Sequence, residues 1–393
     1  MKQIFFLQGI LLYSFYLIGI FFNDVNGLSF IFIAVAIILF LIKTRIDLDR
    51  NVLIFIGIFN IVVFFSLAFN INTKYSIYKA QLLFIKFNTL FLIPQLVSNM
   101  YIKFFVKGIF QVLIFSVLIL LVHTIKSLGS FDFNNRLEIG ILNPIWISRL
   151  VLEALLLSII LYGKNIKVIL ILALAILPII YASGSKGPVF AFLCSLFIFL
   201  LNQRKISLKD VRYFFGLLAI IVVTYYGYLG IKEYDNYFTQ RFFTIIPEGV
   251  DLNAVEENRA LFIPVILENF FNHDYTTILF GAGIGNTSYI LFGKYSDDRF
   301  YPHNLLIEIL CEFGLISAIT IVVIISFFLI KANGSYKYVL IYFLINSMFS
   351  GDIILNEFIF LYAGFVIATN KKLIDKNESY LPNDGKLLQR ADY

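Results

Sequence analysis

The sequence predicts an all-α, polytopic transmembrane helix bundle, and three observations carry that expectation. Of the 393 residues, 60% are hydrophobic and 14% are charged, against about 45–50% and about 25% in an ordinary soluble domain. Long runs such as 30–42 and 211–230 have no polar stripe. A helix apolar all round is buried in a large core or in lipid, and so many in one chain point to lipid. The remaining charges collect between the runs, and their placement predicts an orientation.

A helix needs about 20 apolar residues to cross the hydrocarbon, with a range of about 17–25. On that measure the chain offers twelve spans: 4–22, 27–42, 52–69, 80–98, 104–125, 144–162, 166–182, 187–201, 211–230, 304–330, 336–350 and 353–369. The first lacks a small-residue cleavage site and a second follows closely, so it reads as a helix and not as a secretory signal. Between the ninth and tenth lies one large loop, 231–303. Within it, 257–271 reads as an amphipathic segment interrupted by Pro264, lying at the membrane interface. Beyond the last span, 370–393 is polar and reads as a disordered tail. No internal repeat is visible. Cys194 and Cys311 both fall inside apolar runs and read as small core residues.

An even number of spans puts both termini on one side. With that side cytoplasmic, nineteen of the 31 Lys and Arg fall inside, and the short outer loops hold five: Lys74, Lys79, Lys126, Arg136 and Lys186. This bias follows the positive-inside rule, which excludes loops longer than about 60 residues. The loop 231–303 is then extracytoplasmic. The net charge of +6 needs no nucleic acid to explain it.

Charges inside a bilayer cost about 2.5–3.5 kcal/mol on insertion scales and usually pair or line a cavity. Arg149 and Glu153, four residues apart, share one helix face, either as a self-neutralising pair or toward a polar cavity. Lys86 has no local partner, so it either snorkels or faces a cavity. Glu308 and Glu312 share a face at the outer start of the tenth span, just after His303, where partial hydration is expected. Ser183-Gly184-Ser185-Lys186-Gly187-Pro188 joins two spans at the outer side. Serines, close backbone amides, a lysine and a helix N-terminus make an anion site, or only a turn. Gly281-Ala282-Gly283-Ile284-Gly285 lacks the spacing and βαβ context of a dinucleotide fingerprint and reads as a tight turn. Of three histidines, His123 lies at the outer end of the fifth span and His273 in the loop. His303 stands where the loop re-enters the membrane, able to take a proton from a hydroxyl near neutral pH.

Ser183-Gly184-Ser185-Lys186-Gly187 resembles the Ser-Arg-Gly signature of the O-antigen ligase and polymerase family. Pro302-His303-Asn304 through Glu308-Ile309-Leu310-Cys311-Glu312-Phe313-Gly314-Leu315 is similar to that family's closing His-Asn … Glu-x-Gly-Leu signature. Between them, Asn258-Arg259-Ala260 through Gly281-Ala282-Gly283 resembles its Arg-led helix and Gly-x-Gly turn. Arg136 with Asn143-Pro144 resembles an upstream Arg … Asn-Pro element. The likeness covers about residues 136–316. Lys186 departs from it by standing where the family has arginine. Lysine keeps the charge but loses the planar fork that grips phosphate bidentately.

The resemblance implies a GT-C-like, metal-independent glycosyltransferase of the cytoplasmic (inner) membrane, with no cofactor. Its catalytic region would be 136–330, between N-terminal helices in 1–135 and C-terminal helices in 331–369, with 370–393 a cytoplasmic tail. It would transfer a glycan from undecaprenyl pyrophosphate at the outer face, to a second lipid-linked repeat if a polymerase or to lipid A core if a ligase. A chain-length regulator is the implied protein partner. His303 would act as base, oriented by Glu308 or Glu312. Lys186, Arg241 and Arg259 would neutralise the departing pyrophosphate. Arg136, Ser185 and Asn304 complete the expected substrate-binding set. A transporter or flippase is the main alternative of another class, and it would show inverted repeats and discontinuous helices near the midplane. A rhomboid-like protease or a membrane O-acyltransferase would also use a histidine.

Overall fold

The computed structural model describes residues 2–21, 50–69, 74–97, 101–128, 143–163, 165–202, 259–295, 301–332, 334–349 and 351–378. The expected spans 27–42 and 211–230, the loop portion 231–258, Arg136, Arg241 and residues 379–393 lie outside these.

Among the described residues the fold is all helical, with no strand. The long helices are α1 (Lys2–Phe21), α2 (Arg50–Phe69), α3 (Lys74–Leu96), α4 (Ile102–Leu128), α5 (Pro144–Tyr162), α6 (Ile166–Ser183) and α7 (Lys186–Leu201). Three short ones follow, α8 (Arg259–Phe271), α9 (Tyr275–Phe280) and α10 (Thr287–Phe292), and then α11 (Leu305–Lys331), α12 (Tyr336–Ser347) and α13 (Phe358–Glu378). Four helices, 102–126, 144–162, 166–183 and 305–330, are long and apolar enough to cross a membrane, and shorter apolar helices cover 52–67, 186–201 and 358–369. Their outward side chains are apolar, Phe64, Phe115, Ile171 and Ile319 among them.

The helix ends follow local chemistry. Asn143 caps α5, its side-chain oxygen accepting from the Ile145 and Trp146 amides, with Pro144 at the first helical position, where its missing donor is harmless. Asp274 caps α9 the same way through the Thr277 amide at 3.0 Å. Bonds from the Thr277 amide and hydroxyl hold its carboxyl below the usual carboxylate range.

Packing combines aromatic filling with close backbone approach. Phe87 stacks on Phe59 with ring centres 3.6 Å apart and meets Phe360 edge-on. A methyl group at Gly9 would lie 2.1 Å from the Phe105 carbonyl oxygen, and one at Gly108 2.2 Å from that of Phe6. The α1 and α4 backbones therefore touch, the small-residue contact that membrane helices use in place of a hydrophobic driving force.

Four boundaries differ from expectation. α3 starts at Lys74 and not at 80, because the stretch taken as an outer loop is the first turns of the helix. α8 runs through Pro264 without interruption. Its Ile266 and Phe270 pack on Ile290, Ile307 and Cys311, so this face meets protein. α11 is not one straight span, since Gly314 has φ 76° and ψ 176° and breaks it into two pieces. Between α12 and α13, residues 351–357 form a largely buried irregular turn instead of a direct passage from span to span, and α13 extends beyond 369 to Glu378.

Candidate active site

The polar segments singled out in the sequence gather at one end of the bundle. α6 ends at Gly184, whose left-handed φ of 59° returns its amide to the Ile180 and Tyr181 carbonyls. Ser185 then stands at the head of α7 without capping it. Ser185 is buried and Lys186 is exposed. Ser183 fastens the turn to α5 through a hydroxyl–hydroxyl contact with Ser148 at 2.6 Å.

Asn304 caps α11, its side-chain oxygen accepting from the Leu306 and Ile307 amides at 3.1 and 3.2 Å. Its amide nitrogen donates to the Met348 carbonyl at 3.1 Å. The next residue of that turn, Phe349, closes on Gly187, where a methyl would sit 2.9 Å from its Cβ. Gly187 and Asn304, from two separate segments, thus meet adjacent residues of one turn. His303 itself has φ 55°, the only described residue other than glycine with a positive φ. Its ring lies 4.5 Å from that of Tyr301, centre to centre.

Below this rim lies a fully buried ionic cluster. Lys79 of α3 donates to Glu308 and, at 2.7 Å, to Glu312. The other oxygen of Glu308 accepts from the Ile353 amide at 2.8 Å. Glu312 also accepts from the Thr287 hydroxyl at 3.1 Å, while its Oε2 has no hydrogen-bond partner among the described residues. Asp352 receives the Tyr75 hydroxyl at 3.3 Å and the Leu355 amide at 2.9 Å. The expectation of a partly hydrated carboxylate pair orienting His303 is corrected here. Both carboxylates point into the bundle toward Lys79, and neither is bonded to His303.

The break in α11 is matched by the turn at 281–285. The Ala282 amide donates to the Cys311 carbonyl at 2.8 Å and the Gly283 amide to that of Glu312 at 3.1 Å. The Ser66 hydroxyl also reaches the Glu312 carbonyl at 3.0 Å. The Cys311 and Glu312 carbonyls beside the break are therefore satisfied. Gly281 and Gly314 face each other so closely that a methyl on either would strike backbone atoms at 2.3–2.6 Å. The tight turn expected at Gly281–Gly285 is present, and its function is to close this break.

Three other charges within the long helices found partners the sequence could not name. Lys86 pairs with Glu357 of the buried turn at 2.7 Å. Glu153 accepts hydroxyls from Tyr13 and Tyr362. Arg149 lies 5.0 Å from the Trp146 ring centre and donates to the Asn346 carbonyl at 3.5 Å. The self-neutralising pair of Arg149 and Glu153 does not form, because hydroxyls from α1 and α13 occupy the carboxylate. Arg259 opens α8. The sequence reading missed Lys79 as a site residue, together with Asp352, Asn356 and Glu357. The available signal was three polar residues within six positions between two apolar runs.

The chain matches no protein-family model and no curated protein.

Proposed function

We propose that this chain is a multi-spanning glycosyltransferase of the O-antigen polymerase type. It takes a glycan from undecaprenyl pyrophosphate and passes it to a second lipid-linked repeat unit on the outer face of the cytoplasmic membrane. The observation that carries this reading is the convergence of two separate sequence signatures on one turn. Gly187 packs on Phe349 and Asn304 bonds to Met348, which brings Lys186 and His303 to the same end of the bundle. That end also holds the Gly281–Gly283 turn, bonded to the carbonyls of Cys311 and Glu312 and part of a third segment on which the family resemblance rests.

The chemistry follows from the substrate. The acceptor hydroxyl attacks the anomeric carbon, and the bond from that carbon to the pyrophosphate oxygen breaks. His303 takes the hydroxyl proton. Undecaprenyl pyrophosphate leaves with its charge balanced by Lys186 and Arg259, joined in this proposal by Arg241 and Arg136. The topology that goes with it has twelve spans, both termini in the cytoplasm and the loop 231–303 outside.

A transporter is the second reading, and the break in α11 favours it, since coupling ions often bind at discontinuous helices. Against it, the Cys311 and Glu312 carbonyls beside the break already accept from Ala282, Gly283 and Ser66. Purified protein in liposomes with a lipid-linked repeat unit decides the matter. A ladder of lengthening glycans is expected. Movement of the repeat across the bilayer with no glycosidic bond formed would overturn the enzyme reading, and transfer only to lipid A core would make it a ligase.

A further inference from the structure

We infer that Lys79 is a positioning residue for His303, acting through the first piece of α11. Gly314 separates residues 305–313 from the rest of α11, so this piece needs anchors of its own. Asn304 ties its head to Met348, and Ala282 and Gly283 tie its tail. Its flank is held from two sides by charge-assisted bonds: Lys79 grips Glu308 and Glu312 together, and Glu308 also accepts from the Ile353 amide. All three charged side chains are fully buried. A charge-assisted bond away from water is short and directional, which suits a device that fixes position. The two carboxylates are one helical turn apart on a single face, so one ammonium can bridge them only if the piece is helical and correctly rotated. That rotation sets where His303 and Asn304 stand.

This inference rests on the glycosyltransferase reading for its rate effect, but not for its structural effect. Lys79→Met alone leaves two buried carboxylates uncompensated and is expected to lower the yield of folded protein. The informative variant is therefore Lys79→Met with Glu308→Gln and Glu312→Gln, which removes the ionic grip, leaves none of its own three charges behind and keeps an acceptor for the Ile353 amide. Amide exchange of the purified full chain in detergent is measured first. Exchange in 305–313 is expected to quicken by about tenfold or more, with 144–162 unchanged. In the polymer assay kcat is expected to fall about 10²-fold, the cost of a displacement of about 1 Å. KM for the lipid-linked repeat should stay within about threefold.

Unchanged exchange with an unchanged rate would overturn the inference. So would a lost rate with unchanged exchange, which would mean that these groups act on substrate directly. Faster exchange at 305–313 in a protein whose wild type forms no polymer would leave the grip standing and remove the glycosyltransferase reading instead.

Discussion

His303 holds a left-handed backbone that costs a side-chain-bearing residue about 1–3 kcal/mol and persists only where its surroundings fix it. The Asn304 cap beside it and the Tyr301 ring supply that fixing. Two substitutions separate conformation from chemistry. His303→Ala is expected to lower polymerisation by about 10²–10⁴-fold, the usual contribution of a general base. His303→Asn tolerates the same φ and should lose as much, since it keeps the backbone but not the base. His123→Ala and His273→Ala should stay near wild type, as read from glycan ladders at matched protein levels. Wild-type ladders from His303→Asn would leave the histidine a backbone role only. For the cations, Arg259→Ala should abolish polymer while Arg259→Lys keeps part of it. Lys186→Arg should be tolerated, because it adds a bidentate fork to a charge already exposed at the head of α7.

The broken helix and its closing turn make a test at the level of elements. Gly314→Ala or Gly281→Ala combines a positive φ with a backbone collision and should destabilise the protein by at least about 2 kcal/mol. Gly57→Ala in α2, with open space around it, should be neutral or gain up to about 1 kcal/mol. Denaturant unfolding of the three variants in detergent compares them, and equal midpoints would refute the account of the break. Among the described residues, the approximate positions of the long helices were legible in the sequence, because apolar runs bounded by Lys, Arg and Asn need no tertiary information. The break at Gly314 was not, since a single glycine in an apolar run is common in membrane helices. Only its partner Gly281 makes it informative. Lys79 hid for a related reason. It follows Asn70-Ile71-Asn72-Thr73-Lys74, which reads as a loop, and its carboxylates lie far away in the chain. The signatures around Lys186 and His303 were legible as segments, but the turn that joins them was not, because Met348 and Phe349 are ordinary apolar residues.

At the scale of the whole molecule the orientation is the property to test. An impermeant thiol reagent on intact cells should label Asn253→Cys and not Ser207→Cys, and the reverse pattern would invert the proposed topology. Lys74 and Lys79, both expected on a loop between spans, belong to α3, and Lys79 is fully buried in the bundle. The same residue has a consequence for synthesis. Its counter-charge at Glu308 comes 229 residues later, which at a translation rate of about 5–20 residues per second is a wait of roughly 10–50 s. Through that interval the ribosome has made α3 but not the carboxylates that neutralise it. A lone ammonium costs about 2.5–3.5 kcal/mol at the centre of a membrane helix and less toward an end, so nascent α3, with Lys79 in its second turn, should linger beside the insertion machinery or at the bilayer surface. Ribosome-arrested chains ending before residue 300 should therefore leave position 79 open to aqueous reagents, and chains extended beyond α11 should close it.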